Sequence, residues 1–197
     1  MSNVRRQTKT AVESHTMILV AAYDTDWPRY FAAEAERIQQ SFGAQAQQIE
    51  HVGSTSMPGL RAKPVIDIQV SVPSLQPRGD LYNRLEALGY THFPLGDFDL
   101  VYPFFKRPAS WPSTHHVHLC ESGSEQERTH LAFRDYLRSH PLAATEYVEL
   151  KLKLAAAHDG QTMESQERYS LGKSEFVALA LQAALRDQSG LSSCDDA

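Results

Sequence analysis

The strongest constraint on the fold is the segment from Glu50 to Val72, where a Gly-Ser turn, Gly53-Ser54-Thr55-Ser56, leads through Pro58 and Pro64 into an apolar run at residues 65–72. That run is largely β-branched, which marks a buried strand, and Asp67 interrupts it. A carboxylate inside a buried strand needs a cation, a donor or solvent. Side chains alternate along a strand, so Asp67 and Gln69 share one face while Ile66, Ile68 and Val70 share the other. Gly53 lets backbone approach a ligand closely, and Ser54, Thr55 and Ser56 set hydroxyls at what reads as a helix start, with Arg61 and Lys63 nearby. The combination suits phosphate and metal chemistry. The structural alternatives are a tight connection capped by a serine and an Asp67 paired with Lys63 or a backbone donor.

Around this block, periodicity predicts a short strand at 17–22 and a helix over 24–42, with Trp27, Phe31, Ala35, Ile38 and Phe42 on one face and Gly43 at its end. A strand at 48–52 enters the turn, and a helix over 81–88 closes at Gly89. Residues 90–113, rich in proline and aromatics, read as strands or loops around a cleft. A strand follows at 115–120, then helices over 125–139, 143–158 and 165–186. The fold class is therefore α/β (α+β), a mixed sheet with flanking helices and a helical carboxy-terminal part. One domain spans 17–187, with a flexible tail at 1–16 and a disordered one at 188–197.

A chain of 197 residues, 42% of them hydrophobic, is long enough for one sizeable core, and a net charge of -5 argues against broad nucleic-acid binding. Small-molecule substrates fit better, although Arg61, Lys63, Lys106, Arg107 and Arg134 leave room for a local basic cleft. Cys120 and Cys194 form no CxxC pair, and neither a secretory signal nor a long apolar segment is present. The expectation is a cytoplasmic protein with no membrane partner. No P-loop is found, which weakens an ordinary ATPase or kinase reading.

Two further constellations carry chemistry. His116 and His118, at i and i+2 of one strand, point the same way and serve equally as metal ligands, phosphate contacts or hydrogen-bonded members of a polar core; His115 faces the other way. Arg134 and Arg138, one helical turn apart, either clamp a phosphate or form salt bridges on a solvated face. Tyr169 and Lys173 are candidates to close the cleft from the carboxy-terminal helices.

Residues 50–68 resemble the signature of the GrpB family, roughly E-H-[IV]-G-S-T-[AS]-[VM]-P-G-L-x-x-K-P-[IV]-[IV]-D-I, within the wider nucleotidyltransferase superfamily of DNA polymerase beta-type enzymes. Tyr23 to Trp27, His116-Val117-His118, Phe133 to Arg138 and the spacing of Tyr147, Leu150 and Lys151 also resemble family features. The resemblance implies a nucleotidyltransferase-like fold that places a nucleoside triphosphate on Gly53, Ser54, Thr55, Lys63 and Arg134. It implies a divalent metal, magnesium or manganese, on Asp67 with His116 and His118, and catalytic roles for Asp67 and Glu50 in transfer to a small acceptor. One departure stands out: Gln69 occupies the position where the superfamily carries a second carboxylate, so a two-metal site lacks an anionic ligand. The alternative is a non-catalytic nucleotide or phosphometabolite-binding module linked to coenzyme A metabolism, because related domains are fused to dephospho-coenzyme A kinase. Metal-assisted phosphoester hydrolysis by His116 and His118 is a third reading.

Overall fold

Residues 66–72 form the strand around which the molecule is built, and the computed structural model, which describes residues 18–158, 160 and 162–191, shows why. This strand, β2 (Ile66–Val72), lies between β1 (Gln48–Val52), antiparallel to it, and β5 (His115–Glu121), parallel to it. β4 (Phe104–Arg107) and β3 (Thr91–His92) complete an antiparallel edge, giving the order β1-β2-β5-β4-β3. The result is the expected mixed α+β sheet with flanking helices.

The two faces differ in chemistry because the alternation of β2 and β5 is in phase. Ile68 pairs with Val117 and Val70 with Leu119 on one face, while Asp67 pairs with His116 and Gln69 with His118 on the other. The apolar face is covered by α1 (Trp27–Phe42) and α2 (Arg78–Ala87), through Trp27, Ile38, Phe42, Leu81 and Leu85. Ile68 is fully buried there, worth about 2–3 kcal/mol by transfer alone. Truncating it to alanine costs more, because a cavity is left behind.

The polar face is covered by the carboxy-terminal helices: α3 (Glu125–Ser139), α4 (Pro141–Ala157), α5 (Met163–Leu171) and α6 (Ser174–Leu191). Ser124 caps α3 by accepting from the Glu127 amide at 3.2 Å, and Glu127 reaches back to the Gly123 amide, so two free amides at the helix start are satisfied together. Thr162 caps α5 in the same way, accepting from the Ser165 amide.

Two expected elements differ. The single helix over 165–186 is two, broken at Gly172 and Lys173. A Cβ at Gly172 would lie 2.5 Å from Leu154, so the glycine lets the turn sit against α4. The strand expected at 17–22 reduces, within its described part, to one bridge between Ala21 and Ala62; Ile18 and Val20 instead pack on Ala155 and Tyr169. The expected tail at 1–16 lies outside the described residues, as does 192–197 of the tail expected at 188–197, whose first four residues belong to α6. Among the described residues no helix is long and apolar enough to cross a membrane.

Candidate functional site

The Gly-Ser turn is held by its own side chains. Gly53 has φ of 66°, and a Cβ there would fall 2.3 Å from Oδ2 of Asp67, so only glycine allows the turn to meet that carboxylate. The Thr55 hydroxyl, buried, donates to the Val65 carbonyl at 2.8 Å, and its oxygen also meets His51 Nε2 at 3.1 Å. The hydroxyl has one proton, committed to Val65, so Nε2 of His51 must be the donor. His51 stacks on Phe31 at 4.7 Å, and burial pushes its pKa down to about 4, which keeps the ring neutral. Thr55 is thus a brace inside the turn, whereas Ser54 faces the cavity beside it.

Asp67 and the β5 histidines meet as the pairing requires. Nδ1 of His116 lies 2.9 Å from Oδ1 of Asp67, and Nε2 of His118 lies 3.9 Å from the same oxygen. Burial would raise the Asp67 pKa, but its interactions with His116 and His118 outweigh it and hold the carboxyl well below the usual range. His118 is stacked between Tyr102 and Phe104, and burial lowers its pKa against the pull of Asp67. Its Nδ1 is buried with no hydrogen-bond partner among the described residues.

Beside it, Gln69 is fully buried, donating to the Glu127 carbonyl at 3.4 Å and accepting from the Tyr102 hydroxyl at 3.4 Å. That hydroxyl also contacts Nδ1 of His130, whose pKa burial depresses to about 3. Sequence reasoning missed Tyr102 and His130: one lies in an irregular aromatic stretch, the other on a helix face that reads as solvated.

Opposite Asp67 the cavity is lined with amines. Lys63 precedes β2, Lys151 lies in α4 and Lys173 sits in the turn between α5 and α6; with Ser54, Asp67, His116 and His118 they enclose about 300 Å³. Lys63 Nζ sits 4.1 Å from the Trp111 ring centroid, and Lys173 Nζ 4.6 Å from that of Tyr169. Lys151 Nζ donates to the Arg61 carbonyl.

The other expected site residues lie elsewhere. Glu50 is engaged by Arg134 at 2.6 Å, and Arg134 also pairs with Asp135, so both charges are already spent on each other and their neighbours. Arg138 donates to the Ser56 carbonyl at 2.7 Å and steadies the turn from outside the cavity. The five basic residues of the expected cleft do not form one: Arg107 binds Glu34 on the opposite face of the sheet, and Lys106 lies over Phe93.

The donor set does not fit the metal site that the resemblance implies. Gln69 is neutral and its amide is engaged on both sides, and His116 Nδ1 is bonded to the one carboxylate available. Among the described residues no three or more His, Cys, Asp or Glu side chains are grouped so as to hold a metal ion.

Fold and cavity together define an α+β protein with a small cation-lined pocket where a Gly-Ser turn meets the central strand. The GrpB protein family model matches residues 17–183, and the chain belongs to that family. It is 37% identical over 171 residues to UPF0157 protein YqkA of Bacillus subtilis, a match covering 87% of this chain and 48% of that protein, so the chain spans about half of YqkA's length. A crystal structure of conserved protein GrpB from Enterococcus faecalis superposes with a TM-score of 0.74 at 35% identity, covering 86% of this chain and 99% of that one. A more distant relative, named dephospho-CoA kinase, of Mycolicibacterium paratuberculosis is 29% identical over 160 residues, covering 70% of this chain and 39% of that protein.

Proposed function

We propose that this chain binds a phosphorylated small molecule, of the nucleotide or coenzyme A precursor class, with its phosphate end in the cavity between the Gly-Ser turn and Asp67. The observation that carries the reading is the convergence of Lys63, Lys151 and Lys173, from three separated parts of the chain, with the Ser54 hydroxyl around one space of about 300 Å³. That volume is at the small end for ligand sites, suited to a phosphate group and the atoms next to it. The nucleotidyltransferase-like signature and the partial match to a protein named dephospho-CoA kinase support the ligand class.

Calorimetry and thermal shift with ATP, dephospho-coenzyme A and pyrophosphate test the reading. A saturating ligand at a hundredfold excess over Kd adds about 2.7 kcal/mol to stability, which a melting curve resolves. Lys63→Gln weakens every phosphorylated ligand, whereas the absence of saturable binding by any of them overturns the reading.

Nucleotidyl transfer to a small acceptor is the second reading. It is favoured by the position of Asp67 on the strand after the turn and by the fit of Gly53 against its carboxylate. Pyrophosphate release from a nucleoside triphosphate, measured with and without added divalent metal, is the readout that separates transfer from binding alone.

A further inference from the structure

Building on the phosphate-binding reading, we propose that the phosphate end of the ligand, carrying two or more negative charges, is held directly by Lys63, Lys151 and Lys173 with no divalent metal between protein and phosphate. The three amines occupy the cavity where the fold's resemblance implies a cation, and they are not spent on the protein's own acids. Neither Lys63 nor Lys173 forms a salt bridge or hydrogen bond among the described residues; each rests over an aromatic ring, and only Lys151 has a hydrogen-bond partner, the Arg61 carbonyl. Asp67, the one carboxylate in the cavity, is bonded to His116. Once all three amines are protonated, they face one carboxylate with two positive charges in excess, which a phosphoryl group carrying two or more negative charges offsets without a metal. Gln69, buried and engaged by Tyr102 and the Glu127 carbonyl, offers no second carboxylate to recruit a metal.

The electrostatic state of the amines agrees. Burial, then repulsion from Lys173, pushes Lys63 down to about 8, against the pull of Asp67; Lys106 on β4 adds to the repulsion. Burial, with Lys173, pushes Lys151 down to about 7, and burial lowers Lys173 against Asp67. The other titratable groups at the cavity are His116 and His118 from β5, Tyr169 from α5 and Tyr147, whose ring lies against Lys151 in α4. A polyanion arriving among part-neutral amines draws protons onto them, so binding takes up protons and weakens as pH rises. A site that binds metal through deprotonated ligands does the reverse and releases them.

The test is isothermal titration of the wild-type chain with inorganic pyrophosphate, with inorganic phosphate for comparison. Runs contain either chelator or magnesium, near pH 8, in two buffers of different ionisation heat. The expected result is binding of both anions undiminished by chelator and, for phosphate, which is already a dianion at this pH, accompanied by proton uptake. Lys173→Gln weakens it by about tenfold or more, as loss of one charge-assisted contact implies. Asp67→Asn binds as tightly as wild type or more tightly, since it removes the only negative charge in the cavity. Binding that requires magnesium or manganese, that releases protons, or that disappears in Asp67→Asn overturns the proposal while leaving the phosphate-binding reading standing. Failure of pyrophosphate, ATP and dephospho-coenzyme A alike, with and without metal, overturns both. Should Lys173→Gln fail to fold, the chelator and proton measurements on wild type decide the matter.

Discussion

Glu34 and Asp67 are both acids set against the sheet, on opposite faces, and their surroundings have little in common. Glu34 is met by Arg107 through two contacts of 2.7 Å, by Arg37 at 2.8 Å and by the Tyr90 hydroxyl at 3.0 Å, with only 5% of its side chain exposed. Burial would raise its pKa, but the two guanidiniums more than reverse that. Asp67, 25% exposed, has one close imidazole, a second at 3.9 Å, and a cavity lined by amines that have no acid partner among the described residues. A carboxylate whose acceptor sites are filled by rigid guanidiniums is part of the scaffold. One left facing surplus cations across a cavity marks a place for something else.

The contrast is open to attack from either end. The largest effect falls on the scaffold side: Glu34→Gln costs about 3 kcal/mol, because Arg107 and Arg37 lose their counter-charge in a buried setting, and the urea midpoint drops at unchanged m-value. Next comes Gly53→Ala, about 2 kcal/mol from forcing a side chain into the left-handed region and against Asp67; ligand binding is lost in the same variant, read by melting temperature and titration together.

The pH dependence is smaller per unit and separates the two faces from the histidines. His51 has a folded pKa of about 4 against an ordinary 6.5, so acid protonates the unfolded chain first and stability falls with decreasing pH. The slope is about 1.4 kcal/mol per pH unit between those values. His51→Gln, which keeps an N–H for Thr55 and does not titrate, flattens that window. Glu34 and Asp67, both depressed, add stability that is complete above the ordinary carboxylate range and is lost below it, in a separate, more acidic window. Smallest of all is Asp67→Asn, which costs about 1 kcal/mol, because Lys63 and Lys151, already pushed down by burial, can give up their protons when the carboxylate is lost, whereas the guanidiniums beside Glu34 cannot. A denaturation curve showing Asp67→Asn as costly as Glu34→Gln would erase the distinction.

Much of this was legible in the sequence wherever the signal was local. The alternation in 65–72 gave β2 and placed Asp67 and Gln69 together, and the same rule set His116 and His118 on one face with His115 turned away. The helices over 125–139 and 143–158 followed from periodicity, within two residues at their ends. What escaped depends on contacts across long separations. Arg107 and Glu34 are 73 residues apart, and no pattern along the chain pairs them. Lys151 stands out in the sequence through its spacing with Tyr147 and Leu150, but nothing along the chain shows that α4 carries it to Arg61, 90 residues earlier. For Arg134 the sequence left a phosphate clamp and a salt bridge equally open, because spacing shows reach but not who is already within it; Glu50 was.

The cavity's acid lies on β2 and its hydroxyl on the turn before it, whereas two of its three amines come from α4 and from the turn between α5 and α6, after residue 150. An occupant would therefore act as a stitch across a seam. Amide exchange along α4 and α5 should slow when the seam is closed, even though among the described residues neither helix touches β2 through a salt bridge of its own.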